Sequence, residues 1–179
     1  MTDDIHGFGH VKRVHDLSLK IGKKYNANLL ALKVAALLHD IGRIKKKNDP
    51  KRQNHAELSA LKASKFLKNE IERRLNPKVI ENIIHSIRAH SFSNNVSPTT
   101  LEAKILSDAD KLDALGAIGL YRTIGYTIKH QGNIKDVIKH LENKLLRLRN
   151  RINLPFSKQI ASVRHQILSD FYKEVKKEI

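Results

Sequence analysis

The stretch that most constrains this chain is Asn28 to Gly42, "NLLALKVAALLHDIG". Asn28 can cap a helix that opens at Leu29, and Gly42 can end it after Ile41. Apolar residues surround that helix on almost every side, which predicts a central, buried element. Yet the run closes on His39-Asp40. An imidazole beside a carboxylate is costly in an apolar interior unless both are paired or coordinated. Either these side chains emerge into water, or something inside needs them.

The rest of the chain reads as helices. His10, Val14, Leu17 and Ile21 fall on one stripe of a first helix. Asn54 with Glu57 resembles a capping pair that opens a third helix, to about Leu67. Asn76-Pro77 starts a fourth, which runs to about His90. "SFSNNVSP" is a loop, and Thr99 or Thr100 opens a fifth helix through Asp110 toward Ala117. Two amphipathic helices follow, about Ile134–Arg151 and Ser157–Lys177, joined near Leu154-Pro155. Strand signals, repeats and flexible linkers are lacking. The expected fold is all-α: a compact bundle over 1–179 as a single domain, its core at about 8–125, with a C-terminal helical hairpin at about 133–177.

At 179 residues the chain is long enough to bury a real core. It has no cysteine, which excludes disulfides and thiolate metal sites and points to an intracellular compartment. The acidic, apolar-poor opening "MTDDIHGFGH" is no signal peptide, and no apolar run approaches a membrane span. A cytoplasmic location with no membrane partner is the expectation. Net charge is +16, which attracts anions such as nucleotides, phosphate esters or nucleic acid.

Each helical residue advances about 100°, which separates inward from outward polar side chains. His10 lies on the core stripe, whereas His15 is roughly 140° away and should meet solvent. Ile80, Ile83, Ile84 and Ile87 build the apolar face of the fourth helix; His90 sits at its edge and His85 nearly opposite. Leu106, Asp110, Asp113 and Ala117 share a face of the fifth, and Asp108 points elsewhere. The inward polar set is thus His10, His39 or Asp40, His90, and Asp110 with Asp113. Spacing leaves His55 undecided. Imidazoles and carboxylates converging without thiolates suit one divalent ion: Mn, Fe, Co, Ni, Zn or Mg.

At these residues the sequence resembles the HD-domain superfamily of metal-dependent phosphohydrolases. His10, His39-Asp40 and Asp110 match the pattern H…HD…D. "GHVKRVHDLSLKI", "AALLHDIG", "HAELSA", "AHSFS" and "AKILSDADKLDALGAIGLYRT" resemble, in order, blocks of the small single-domain bacterial and archaeal members. The resemblance implies that those four residues bind one divalent metal. It also implies that His55 and His90 lie near the site, where some relatives hold a second ion; His85 is a rival for the latter position. Some members carry an acidic residue three positions after the HD aspartate. Arg43 stands there in this chain, favouring a phosphate-binding role.

The chemistry that follows is hydrolysis by a metal-activated water. Asp40 would bind metal and accept the water's proton; His55 or His90 would protonate a leaving oxygen. Arg13, Arg43 and Lys111 are candidates for phosphate. Asp113 would orient a ligand histidine or contact substrate hydroxyls. Lys45–Lys47, Lys51 and Arg52 form a basic loop suited to polyphosphate. Gly116 and Gly119, with Ala117, allow close helix packing. The expected substrate is a small phosphate compound, a nucleotide in the leading reading. A basic nucleic-acid-binding helical protein and a metal oxygenase on the same scaffold are the alternatives; oligomeric state is not legible.

Overall fold

The computed structural model describes residues 7–43, 54–70 and 75–179, and the basic loop at 45–52 lies outside them. The described residues are helical and contain no strand. The helices are α1 (Phe8–Lys24), α2 (Leu29–Leu38), α3 (His55–Glu70), α4 (Pro77–Ala89), α5 (Leu101–Asp113), α6 (Gly116–Lys129), α7 (Ile134–His140), α8 (Leu146–Leu148) and α9 (Pro155–Glu178). A 3₁₀ turn at Ile41–Arg43 follows α2. A π-helical segment, Leu141–Leu145, joins α7 to α8, and a second 3₁₀ turn covers Arg149–Arg151. No helix is long and apolar enough to cross a membrane among the described residues.

The chain divides into two compact units, Val14–Ala109 and the remainder, with the divisions falling inside α1 and α5. In the unit Val14–Ala109, α4 packs on α2 and α3. Ile83 and Ile87 are fully buried there beside Leu32, Ala35, Ala36 and Leu67. Each such large aliphatic side chain contributes about 1.5–3 kcal/mol of burial. The Asn28 side chain accepts from the Ala31 N–H at 3.0 Å, as an N-cap should. The buried Glu102 carboxylate then accepts from the Asn28 amide at 2.8 Å and from Asn82 Nδ2 at 2.8 Å. Thr100 Oγ1 donates to Asn82 Oδ1 at 2.6 Å. One carboxylate thereby ties the starts of α2 and α5 to α4.

In the other unit α6 packs against α9 and α7. Its core includes Leu112, Leu115, Leu141, Leu148, Ala161 and Leu168. Asn133 and Asp136 form a reciprocal capping box at the start of α7.

Three expectations need correction. The fifth helix does not continue toward Ala117: it stops at Asp113, and α6 begins anew at Gly116. Gly116 has φ +77°, a left-handed conformation that breaks the helix at little cost only for glycine. A Cβ on Gly119 would lie 2.1 Å from the Ala114 carbonyl oxygen, so the reversal is close-packed, while Ala117 is exposed. Secondly, α2 ends at Leu38, three residues early. Thirdly, Glu57 does not fold back as a capping partner. Asn54 Oδ1 caps α3 through the Ala56 N–H at 2.9 Å, but Glu57 accepts from Arg88 and Asn94.

The 3₁₀ turn is seated against the start of α3. Gly42 N–H donates to Ser59 Oγ at 2.8 Å, and a Cβ at Gly42 would fall 2.5 Å from both the His55 carbonyl oxygen and Ser59 N. Those neighbours are backbone and cannot rotate aside. Gly42→Ala is therefore expected to lower stability by about 1–3 kcal/mol in urea melts.

Candidate metal centre

The apolar run of α2 delivers His39 as its C-terminal cap, and the facing isoleucines of α4 deliver His90 as the cap of that helix. Both rings are fully buried. His39 Nδ1 lies 2.7 Å from the Ala36 carbonyl oxygen, and His90 Nδ1 lies 2.6 Å from that of Ile87. A carbonyl only accepts, so each Nδ1 carries the proton and each Nε2 keeps its lone pair. The same hydrogen bond satisfies an otherwise orphaned carbonyl in the last helical turn.

Asp40 lies between these rings: Oδ2 is 3.7 Å from His39 Nε2, and Oδ1 is 3.7 Å from His90 Nε2. The two rings meet edge to face with centroids 5.0 Å apart. His39, Asp40 and His90 each offer a donor atom, all within 4.8 Å of one another. The buried His90 Nε2 makes no hydrogen bond. Leaving such an atom unsatisfied costs about 1–3 kcal/mol, and a divalent cation would meet the need. Two imidazole nitrogens and a carboxylate oxygen fit a first-row divalent ion.

Arg43 and His55 complete this group. Arg43 Nε donates to Asp40 Oδ2 at 2.6 Å, and its Nη2 donates to His55 Nε2 at 3.0 Å. His55, undecided from spacing, is thus brought to the HD pair: its Nε2 is 3.7 Å from Asp40 Oδ1 and its ring centroid 5.4 Å from that of His90. The rival His85 is engaged elsewhere. Its Nε2 accepts from the Thr99 N–H at 3.1 Å, and burial first, then Arg88, lower its pKa, which suits an accepting neutral ring.

The unit that contains residues 110–179 holds a second set. His10, buried on the inward stripe of α1, donates from Nδ1 to Asp113 Oδ2 at 2.7 Å. Its Nε2 lies 3.4 Å from Asp110 Oδ1. Asp113 is almost wholly buried and also accepts from Arg13 Nε at 2.6 Å, Arg13 Nη2 at 3.3 Å and Arg122 Nη1. A carboxylate behind a histidine in this way fixes its tautomer and turns Nε2 outward as a ligand. Arg122 is the residue that sequence reasoning missed. Its signal was faint: it stands three positions after the buried Gly119, so it shares that face of α6.

Two further placements differ from expectation. Asp108, expected to point away from the core, is fully buried, because α5 is enclosed along most of its length from Glu102 to Asp113. Lys111 is buried as well. His15 is partly exposed and pairs with Asp16 at 2.9 Å.

With the geometry in place, the family follows. A family model for the HD domain matches residues 7–115, and the chain belongs to the HD-domain family. It is 30% identical to the Bacillus subtilis protein YpgQ over 189 aligned positions, covering 100% of this chain and 88% of YpgQ. The crystal structure of YpgQ in complex with ADP is similar with a TM-score of 0.76 and 28% identity, covering 97% of this chain and 87% of that one. An HD-superfamily hydrolase from Bacillus thuringiensis is similar with a TM-score of 0.70 and 30% identity, covering 97% of this chain and 86% of its own.

Burial alone would raise the Asp113 carboxyl, but hydrogen bonds from His10 and Arg13 and the charge of Arg122 outweigh it and hold the group below the ordinary carboxylate range. The stability that Asp113 brings is thus complete above the unfolded-state value and is lost as pH falls through the folded-state value. Asp113→Ala is expected to cost about 3–5 kcal/mol at pH 7. In urea melts the gap to wild type should narrow as pH drops below about 4.

Proposed function

We propose that this protein is a divalent-metal-dependent phosphohydrolase, working as a single HD domain over 1–179, that cleaves phosphoester or phosphoanhydride bonds of nucleotides. The observation that carries the reading is the buried group His39, Asp40 and His90, with both Nδ1 atoms committed to carbonyls and the Nε2 of His90 left without a hydrogen bond. The family's pattern assigns one ion to His10, His39, Asp40 and Asp110. That YpgQ crystallised with ADP supports a nucleotide as substrate.

A divalent ion in such a centre polarises a phosphoryl oxygen and lowers the pKa of water. The residues of this chain do the rest. Asp40 accepts the proton of the attacking water. Its carboxylate is held in place by Arg43, whose Nε donates to Oδ2. His55 or His90 returns a proton to the leaving oxygen. Asp113, clamped by Arg13 and Arg122, holds the His10 ring so that its orientation does not drift during turnover. Arg13, about a third exposed, engages Asp113 through Nε and Nη2 and keeps Nη1 for a phosphate oxygen. Arg43 adds positive charge where the phosphoryl group develops negative charge.

Incubation with a panel of nucleoside mono-, di- and triphosphates plus Mn, Co, Ni or Mg is expected to release phosphate or pyrophosphate; silence with every metal would overturn the reading. His39→Ala and Asp40→Ala should strip metal and reduce turnover by at least about a hundredfold. His15→Ala should change both by less than about twofold, because His15 pairs only with an exposed neighbour.

A further inference from the structure

We propose that Arg164 of α9 is a positioning residue for His10, Asp110 and Asp113: it holds the last turn of α5 in the orientation that turns both carboxylates toward the His10 ring. That His10 and Asp110 would serve as ligands rests on the metal reading above; the positioning itself is a matter of hydrogen bonds.

Asp110 and Asp113 stand one turn apart at the end of α5, and that end is closed off from water. Lys111, Leu112 and Asp113 are all buried. The final carbonyls of a helix lack the partners that interior carbonyls have and must find others. Here the local backbone supplies long bonds. The Ala114 N–H is shared between the Asp110 and Lys111 carbonyls, at 3.3 and 3.2 Å. The Leu115 N–H reaches the Leu112 carbonyl at 3.1 Å. Arg164 Nη1 donates to that same oxygen at 2.6 Å, from 52 positions away in the sequence. The shortest of these bonds comes from another helix.

The reversal after α5 is shaped to admit the arginine. A Cβ on Gly116 would lie 3.2 Å from Arg164 Cγ and 3.3 Å from its Cβ, so the aliphatic stem lies across a turn that carries no side chain. The guanidinium at its end is part-buried. Burial works against its charge, and the negative charge of Asp113 works for it. A cation at a helix C-terminus also meets the negative end of the helix dipole.

The arginines around this turn divide the work. Arg13 and Arg122 hold the Asp113 carboxylate itself. Arg164 holds the backbone between the two aspartates. His10 Nδ1 is 2.7 Å from Asp113 and its Nε2 is 3.4 Å from Asp110, so one rotation of the turn would disturb both ends of the ring.

The test reads the Nδ1 protons of His10, His39 and His90 by NMR in metal-free, ¹⁵N-histidine-labelled protein. Wild type is compared with Arg164→Met, which keeps the stem and loses the donors, and with Arg164→Lys, which restores one donor. In Arg164→Met the His10 proton is expected to exchange with solvent at least about tenfold faster, and Arg164→Lys should recover much of the loss. The His39 and His90 protons, anchored on carbonyls of α2 and α4, should keep their wild-type rates. An unchanged His10 proton in Arg164→Met would overturn the inference. Equal acceleration of all three would also overturn it, because that marks a general loss of stability. If Arg164→Met does not fold, Arg164→Gln, too short to reach Leu112, takes its place with the same expectations. Mn(II) affinity, followed by EPR, should fall about tenfold to a hundredfold in the same variant. Unchanged affinity, where wild type binds Mn, would count as refutation. A wild type that binds no Mn would sink the metal reading alone, since the exchange comparison needs no metal.

Discussion

Within each unit, the buried histidines depend on hydrogen bonds made by the ring nitrogen that would not touch metal. Imidazole is a two-ended group, and a ligand is only as well placed as its other end. Here three rings are held by Nδ1: His39 and His90 on carbonyls three residues earlier, His10 on the Asp113 carboxylate. The two kinds of anchor differ in strength. A carbonyl is a neutral acceptor that costs nothing to keep. Asp113 is a buried charge that stays ionised because Arg13, Arg122 and His10 surround it. The first kind comes free with a helix end. The second had to be assembled from residues far apart in the chain.

That difference explains how much was legible in the sequence. The helical periods of α1 and α4 turned His10 and His90 inward correctly, because both sit among aliphatic residues that repeat cleanly. Asn28 and Asn76 announced their helices, since an Asn before an apolar run has few other uses. The break after Asp113 was not legible. Nothing in "KLDALGAIG" says that Gly116 adopts φ +77°; the sequence shows only that it could. Asp108 was misjudged for a related reason. A facing argument assumes a helix with one wet side, and α5 is enclosed on nearly all of its sides between Glu102 and Asp113. Arg122 escaped notice because its partner is a carboxylate nine positions back across a reversal that spacing does not reveal.

Positive charge in this chain serves two ends that net charge cannot distinguish. Most of the Lys and Arg excess is exposed. A few cations instead sit on particular acceptors: Arg43 on Asp40, Arg13 and Arg122 on Asp113, Arg164 Nη1 on the Leu112 carbonyl at 2.6 Å. The exposed group shapes the field that an anion would meet on approach. The second group fixes where particular carboxylates point and, at Asp113, holds the carboxyl below its ordinary range. A count of +16 merges the two, and only the structure separates them.

His39 and His90 are each a helix cap as well as a donor. Their imidazoles therefore answer to two selective pressures, one chemical and one architectural. A descendant that abandoned hydrolysis would still fray α2 and α4 if it replaced them. In such a lineage both histidines would outlast the reaction, persisting as masonry after the hearth had gone cold. Asp40, which ends no helix, has no such second reason to persist.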